Sequence, residues 1–194
     1  MRNTLIPPLL VVGLASVSPA QTKISGTSQC GKPELQYTLP VGDRPDHSFG
    51  ISKTKCTWLK PLEVEGLQTK EDENTTFSEV TGNSARDRTY VVGTMSNGDK
   101  VFVRPQGKST LKDGAFQSGS GTWAYTGGTG KLKGLKGTGT FTCKANPDGT
   151  ATCSIVGELS ASEVNSSGER SRWSSLEGRA QSAARARSFI NPRT

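Results

Sequence analysis

The sequence predicts an all-β protein in which residues 21–159 form a closed antiparallel barrel of about eight strands. Eight or nine strand-like segments recur at hairpin spacing before residue 160, and no convincing amphipathic helix interrupts them. This spacing fits either a barrel or a β-sandwich. Glycines inside the later strands, such as Gly121, Gly139 and Gly157, suit the sharp bends at barrel corners and therefore favour the barrel.

The stretch 119–159 has the best-determined register. Residues 146–149 read Asn-Pro-Asp-Gly, which suits a type I turn followed by a left-handed glycine. That turn places Cys143 opposite Cys153, and Phe141 beside Ile155, on one apolar face. The other face is mostly threonine and charged residues. A slip of one residue would mix the two faces, so the register is well specified.

The early strands are predicted from alternating apolar residues and from the turns between them. An extended lead-in at 21–33 precedes strands at 35–39, 47–59 and 62–69. Five polar residues at 70–74 are predicted to form a charged turn. Strand character resumes at 75–81, and residues 83–87 are predicted to break it.

Two later hairpins complete the predicted barrel. Strands at 89–95 and 100–104 flank Asn97-Gly98, which suits a two-residue type I′ turn. That register puts Tyr90 and Val92 on the same face as Val101 and Val103. A strand at 107–111 follows. Residues 127–130 (Gly-Gly-Thr-Gly) are predicted to form a tight turn between two strands, since they lack the helix that a phosphate-binding loop needs.

Residues 1–20 are predicted to be a secretory signal. Arg2 precedes an apolar run at 5–17, and small residues at 18–20 provide a cleavage site. A membrane anchor is the alternative, but the run is shorter than the roughly 20 residues that a span needs and contains two prolines. No other stretch is apolar enough to cross a membrane. The predicted location is secreted or periplasmic.

The four cysteines are predicted to form two disulfides, as exported proteins permit. The hairpin register selects Cys143–Cys153, which leaves Cys30–Cys56 by elimination. A zinc site is the rival interpretation. The sequence has no Cys-x-x-Cys spacing and only one histidine, so no metal site is predicted.

The charge distribution argues against a nucleic-acid partner. The formal net charge is +7, but residues 21–159 hold seventeen basic and fourteen acidic side chains, interspersed as on a solvated surface. No cofactor is predicted. Residues 160–194 are rich in Ser, Ala and Arg and are predicted to be a largely disordered tail with a marginal helix at 173–187.

Two short segments resemble the allene oxide cyclase and dirigent barrel superfamily. They are residues 125–131 (Tyr-Thr-Gly-Gly-Thr-Gly-Lys) and 137–140 (Gly-Thr-Gly-Thr). The stretch 42–49, followed by 56–58 (Cys-Thr-Trp), also resembles small secreted bacterial proteins of unassigned function. The superfamily resemblance implies an eight-stranded antiparallel barrel acting on small, largely apolar molecules, and it transfers no catalytic position because the matched residues form a turn.

The sequence offers one weak catalytic candidate and a set of candidate lining residues. His47 lies among Asp43, Arg44 and Asp46 and could act as a general base, although a loop histidine at the entrance of a strand often looks the same. If the barrel is hollow, its ligand-lining candidates are the large aromatic residues Trp58, Tyr90, Phe102, Trp123, Tyr125 and Phe141.

Two functions follow from this interpretation. The first is an exported, non-catalytic barrel that binds a small apolar molecule or a surface component. The alternative is a barrel enzyme of cyclase or isomerase type. An inward Asp, Glu or His at the floor of an open cavity would favour catalysis, whereas a lining of apolar and hydroxyl groups alone would favour binding. The sequence indicates neither the ligand nor an oligomeric state.

Overall fold

The computed structural model describes residues 21–160, which form eleven strands and one short 3₁₀ turn, Gly130–Leu132. The predicted signal and almost all of the predicted tail lie outside these residues. Nothing in the described part is a helix long and apolar enough to cross a membrane. The strands are β1 Thr22–Cys30, β2 Leu35–Pro40, β3 His47–Lys60, β4 Glu63–Val64, β5 Leu67–Thr81, β6 Ser84–Met95, β7 Lys100–Val103, β8 Gln106–Lys112, β9 Ala115–Gly128, β10 Lys136–Ala145 and β11 Ala151–Ser160.

The strands close into an antiparallel barrel with eight positions, as predicted. The ring runs in the order β1, β3, β5, β6, then β7 and β8 together, then β9, β10 and β11. Strand β11 pairs with β1 and closes the ring. Strands β7 and β8 share one position because both pair with β6 on one side and β9 on the other. Strand β2 lies outside the ring and extends the line of β1 along the edge of β3.

The predicted hairpin of β10 and β11 is confirmed. Cys143 pairs with Cys153, and the Asn146 N–H donates to the Thr150 carbonyl at 2.8 Å. Gly149 has a φ of +83°, the left-handed conformation that the turn requires. Both predicted disulfides, Cys143–Cys153 and Cys30–Cys56, are formed.

The predicted register of the 89–104 hairpin is wrong by one residue. The structure pairs Val92 with Phe102 and Val91 with Val103, because three residues rather than two lie in the loop. Gly98 has a positive φ and Asn97 does not, which excludes the type I′ turn. Since neighbouring residues of a strand point to opposite faces, this shift turns Val92 away from the face it was predicted to share with Val103.

The predicted charged turn at 70–74 is also wrong, because these residues lie inside the fifteen-residue strand β5. The strand does have a β-bulge between Thr69 and Glu71, which reverses the alternation of its faces at this point. The chain instead turns at Gly66, so the predicted strand at 62–69 is divided between β4 and β5. The predicted break at 83–87 is confined to the turn before Ser84, where β6 begins.

One end of the barrel, which we call the closed end, is filled by side chains. The connection at 129–135 is not the predicted tight turn: it contains the 3₁₀ turn and inserts Leu132 and Leu135, each at most 2% exposed. Burial of these leucines is the physical reason for the longer connection. The closed end is completed by Ile24, Leu62, Val64, Met95 and Leu159.

Candidate functional site

The other end of the barrel is hollow and opens to solvent. Its cavity has a volume of about 1070 Å³ and runs from the rim down to the packed leucines of the closed end. The lining comes from alternate residues of the strands, as period-two geometry requires. On β3, for example, Ser48, Gly50, Ser52 and Thr54 face the cavity. Strand β3 therefore contributes hydroxyl groups to the upper wall.

Four of the six predicted lining residues face this cavity, namely Trp58, Trp123, Tyr125 and Phe141. The other two, Tyr90 and Phe102, lie on the outer surface and are 45% and 38% exposed. Because Val101 and Val103 line the cavity, Phe102 between them points outward in either register. The one-residue register shift explains Tyr90, which the predicted register had placed on the face of those two valines. Tyr90 instead packs under the guanidinium of Arg104, 3.7 Å from its ring centre.

Trp123 of β9 packs against glycines of β10 and β11, the next two strands of the barrel. A Cβ placed on Gly139 would lie 2.6 Å from the indole, and one on Gly157 would also collide with it. The indole N–H donates to the Thr140 carbonyl at 3.2 Å, and the ring meets Tyr125 edge to face at 5.1 Å between centres. These glycines therefore make room for a large aromatic side chain at the base of the cavity.

The side chain of His47, the weak catalytic candidate, lies on the outer face of the barrel wall and not in the cavity. It is 8% exposed, and its two ring nitrogens contact Asp43 at 2.7 Å and Glu79 at 3.2 Å. The hydrogen bond with His47 lowers the pKa of Asp43. Both ring nitrogens are thus occupied by carboxylates, and the side chain does not line the cavity. This geometry attaches the 43–46 loop to β5.

The floor of the cavity carries an acid that sequence analysis missed. Asp72 is inward on β5, opposite Gly93 of β6, and a Cβ on Gly93 would lie 2.8 Å from its carboxylate. The carboxyl of Asp72 is largely buried by the surrounding protein, although it also lines the bottom of the cavity. Burial raises its pKa to about 6, while the Trp58 indole opposes this shift and nearby Glu71 adds to it.

Asp72 belongs to a polar group that we call the cavity floor, consisting of Trp58, Asp72, Asn74 and Tyr125. Burial, with a smaller effect from Asp72, raises the pKa of the Tyr125 hydroxyl, which keeps it protonated. The Asn74 amide donates to the Sγ of Cys56 at 2.8 Å, and its Oδ1 is buried without a donor. The Trp58 Nε1 is likewise buried without a hydrogen bond of normal geometry. The floor therefore has unused hydrogen-bonding capacity.

A second inward carboxylate lies nearer the rim and is already hydrogen-bonded. Asp87 accepts from the hydroxyl of Ser78 at 2.6 Å and from that of Ser109. Thr76 and Thr89 bond to each other at 2.9 Å beside it. Within residues 21–160, no three His, Cys, Asp or Glu side chains are placed to hold a metal ion.

Comparison with known proteins adds little to this geometry. No protein-family model and no curated protein matches the chain. A solved pyocyanin demethylase is 21% identical over 68% of this chain and 97% of its own, with a TM-score of 0.37. A conserved protein of unknown function from Rhodopseudomonas palustris is 10% identical over 73% and 99%, with a TM-score of 0.41. At these scores neither match carries an inference about substrate.

Proposed function

We propose that this protein binds a small, largely apolar molecule in the hollow half of its barrel. The observation that supports this most is the cavity of about 1070 Å³, open at one end and sealed at the other. Small-molecule sites in proteins are concave, mostly apolar and supplied with a few polar groups that orient the ligand. Trp123 and Phe141 provide the apolar surface here, and the cavity floor provides the polar groups.

The proposal includes export and a distant superfamily. Two disulfides are typical of an oxidising compartment, which supports a secreted or periplasmic protein with a signal at 1–20. The eight-position barrel, together with residues 125–131 and 137–140, supports distant membership of the allene oxide cyclase and dirigent superfamily. Fold similarity of this kind carries no activity by itself.

Native mass spectrometry of protein purified from its own host tests the binding function. Val91 faces the cavity and Val92, its neighbour, faces solvent. We expect the wild type to carry an additional small mass, Val91→Trp to lose it and Val92→Trp to retain it. A wild type without any bound mass, or equal occupancy in Val91→Trp, would contradict the proposal.

Catalysis on the bound molecule is a second candidate, and Asp72 is the observation that favours it. A carboxyl with a pKa near 6 can both accept and donate a proton at neutral pH, as a cyclase or isomerase of this type requires. Incubating the recovered ligand in D₂O with wild type and with Asp72→Asn tests this function. Deuterium incorporation by the wild type alone would support it, and no incorporation by either would exclude such proton transfer.

A further inference from the structure

The barrel wall separates the charges of this protein by sign. The described residues that line the cavity include two carboxylates, Asp72 and Asp87, and no Lys, Arg or His. Over residues 21–159, basic side chains nevertheless outnumber acidic ones, seventeen to fourteen. The positive excess therefore lies on the outside, and a molecule inside the cavity meets negative charge alone.

The two inward carboxylates differ in the hydrogen bonds that they accept from the protein. Both oxygens of Asp87 accept hydrogen bonds, from Ser78 and Ser109. The donor beside Asp72 is the Trp58 indole, which makes no hydrogen bond of normal geometry. An ionised carboxylate within protein and without a cationic partner is energetically costly. Asp72 is consequently the group that a bound cation would stabilise most.

The surroundings of Asp72 also suit a cation that carries N–H donors. Asn74 lies two residues along β5 on the same face, and its buried Oδ1 has no donor. The rings of Trp58 and Tyr125 face the same space, and aromatic faces attract ammonium groups. A carboxylate, an unused amide oxygen and aromatic rings together form the chemistry that recognises a protonated amine.

We propose that the cavity floor binds the ammonium group of a protonated organic amine, whose apolar or aromatic body occupies the hollow above it. The ammonium donates to the Asp72 carboxylate and to the Asn74 Oδ1. This inference rests on the proposed binding function, to which it adds the class of ligand. The excess positive charge of the exterior would favour anions, so a preference for cations must come from the interior.

Three compounds of nearly equal shape test the inference by titration calorimetry at pH 7.5. They are 1-naphthylmethylamine, which is a cation at this pH, neutral 1-naphthylmethanol and anionic 1-naphthoate. We expect the wild type to bind the cation about tenfold or more tightly than the alcohol, and the anion most weakly. Asp72→Asn should remove the preference for the cation while changing affinity for the alcohol by less than about twofold.

Glu73→Gln is the matched control. Glu73 is next to Asp72 in the chain but faces outward, where it pairs with Lys53 at 2.9 Å. This variant should keep the preference for the cation, since only charge inside the cavity is expected to matter. Circular dichroism should show both variants folded.

The outcomes separate the two proposals. Equal binding of cation and alcohol, stronger binding of the anion, or an unchanged preference in Asp72→Asn would overturn the inference and leave the binding function intact. Failure of all three compounds to bind the wild type would contradict the binding function itself.

Discussion

The closed and open ends of this barrel are stabilised in different ways. At the closed end, Leu132, Leu135 and Met95 are almost fully buried and pack against one another. At the open end the wall surrounds empty space, and both disulfides lie in that wall. Cross-links restrict the unfolded chain without requiring packed side chains, so they suit a region that must stay hollow. Stability and ligand access therefore reside in opposite halves.

The largest effect is expected from truncating a leucine at the closed end. Leu132→Ala should lower the free energy of unfolding by about 2–5 kcal/mol, because it creates a cavity in a packed core. Leu111→Ala is the comparison, since Leu111 is half-buried and already faces the hollow. Its cost should be below about 1 kcal/mol. Urea denaturation measures both, and equal costs would show that the two ends do not differ.

The second largest effect is expected from Asp72→Asn, which should raise the free energy of unfolding by an amount that depends on pH. The folded pKa of Asp72, about 6, exceeds its ordinary value of 3.8. The folded state thus binds the proton more tightly, and the stability of the wild type falls as the pH rises from about 4 through 6. Asp72→Asn should be more stable than wild type by up to about 3 kcal/mol at pH 8.

The same difference should vanish near pH 4, where folded Asp72 is protonated. Besides burial, the Trp58 indole and Glu71 affect the pKa of Asp72, and Asp72 in turn affects the pKa of the Tyr125 hydroxyl. Denaturation curves at pH 4, 6 and 8 measure the trend. An unchanged or lower stability of Asp72→Asn at pH 8 would mean that the carboxylate is not strained by burial.

Removing the disulfide of the β10–β11 hairpin should weaken the open end selectively. The bond Cys143–Cys153 closes a loop of ten residues, and its replacement by two serines should cost about 2–3 kcal/mol. Hydrogen exchange should accelerate most at 143–153 and least around Leu132. Uniform acceleration over the whole barrel would contradict two separately stabilised ends.

The smallest expected effect is the loss of stability when a glycine is replaced by alanine, and it should differ between Gly157 and Gly50. Gly157→Ala should cost about 1–3 kcal/mol, because the new methyl group collides with the Trp123 indole and with the Thr138 carbonyl oxygen. At Gly50, in the open half, the nearest atom to an added Cβ is 3.7 Å away, so Gly50→Ala should be nearly neutral. Thermal midpoints compare the two, and a similar loss at both would remove the proposed function of Gly157 in seating the indole.

The barrel, both disulfides and the aromatic members of the cavity floor could be predicted from sequence, whereas Asp72 and Asn74 could not. Cys143 and Cys153 follow from a turn of known geometry and a face pattern with period two. The inward position of Asp72 was not predicted because β5 is polar on both faces and has a β-bulge between Thr69 and Glu71. Both features make this part of the sequence resemble a loop. The alternation of Asp72, Asn74, Thr76 and Ser78 against Glu71, Glu73 and Thr75 is the signal that could have exposed an inward polar row.

The hairpin at 89–104 is a second place where the sequence alone did not determine which side chains face the cavity. A loop of three residues differs from one of two by a single position, yet it turns Tyr90 from the predicted lining to the outer surface. Asn97-Gly98 is compatible with both loop lengths, because Gly98 supplies a positive φ in either case. Faces predicted from loop length alone are therefore less secure than those also supported by a disulfide.

A crystal structure of the protein with 1-naphthylmethylamine tests the central claim most directly. We predict that the closed end is unchanged, that the naphthalene lies between Trp123 and Phe141, and that its nitrogen lies about 2.7–3.2 Å from the Asp72 carboxylate. Side chains collapsed into the hollow half, or the compound bound only to the outer surface, would contradict it.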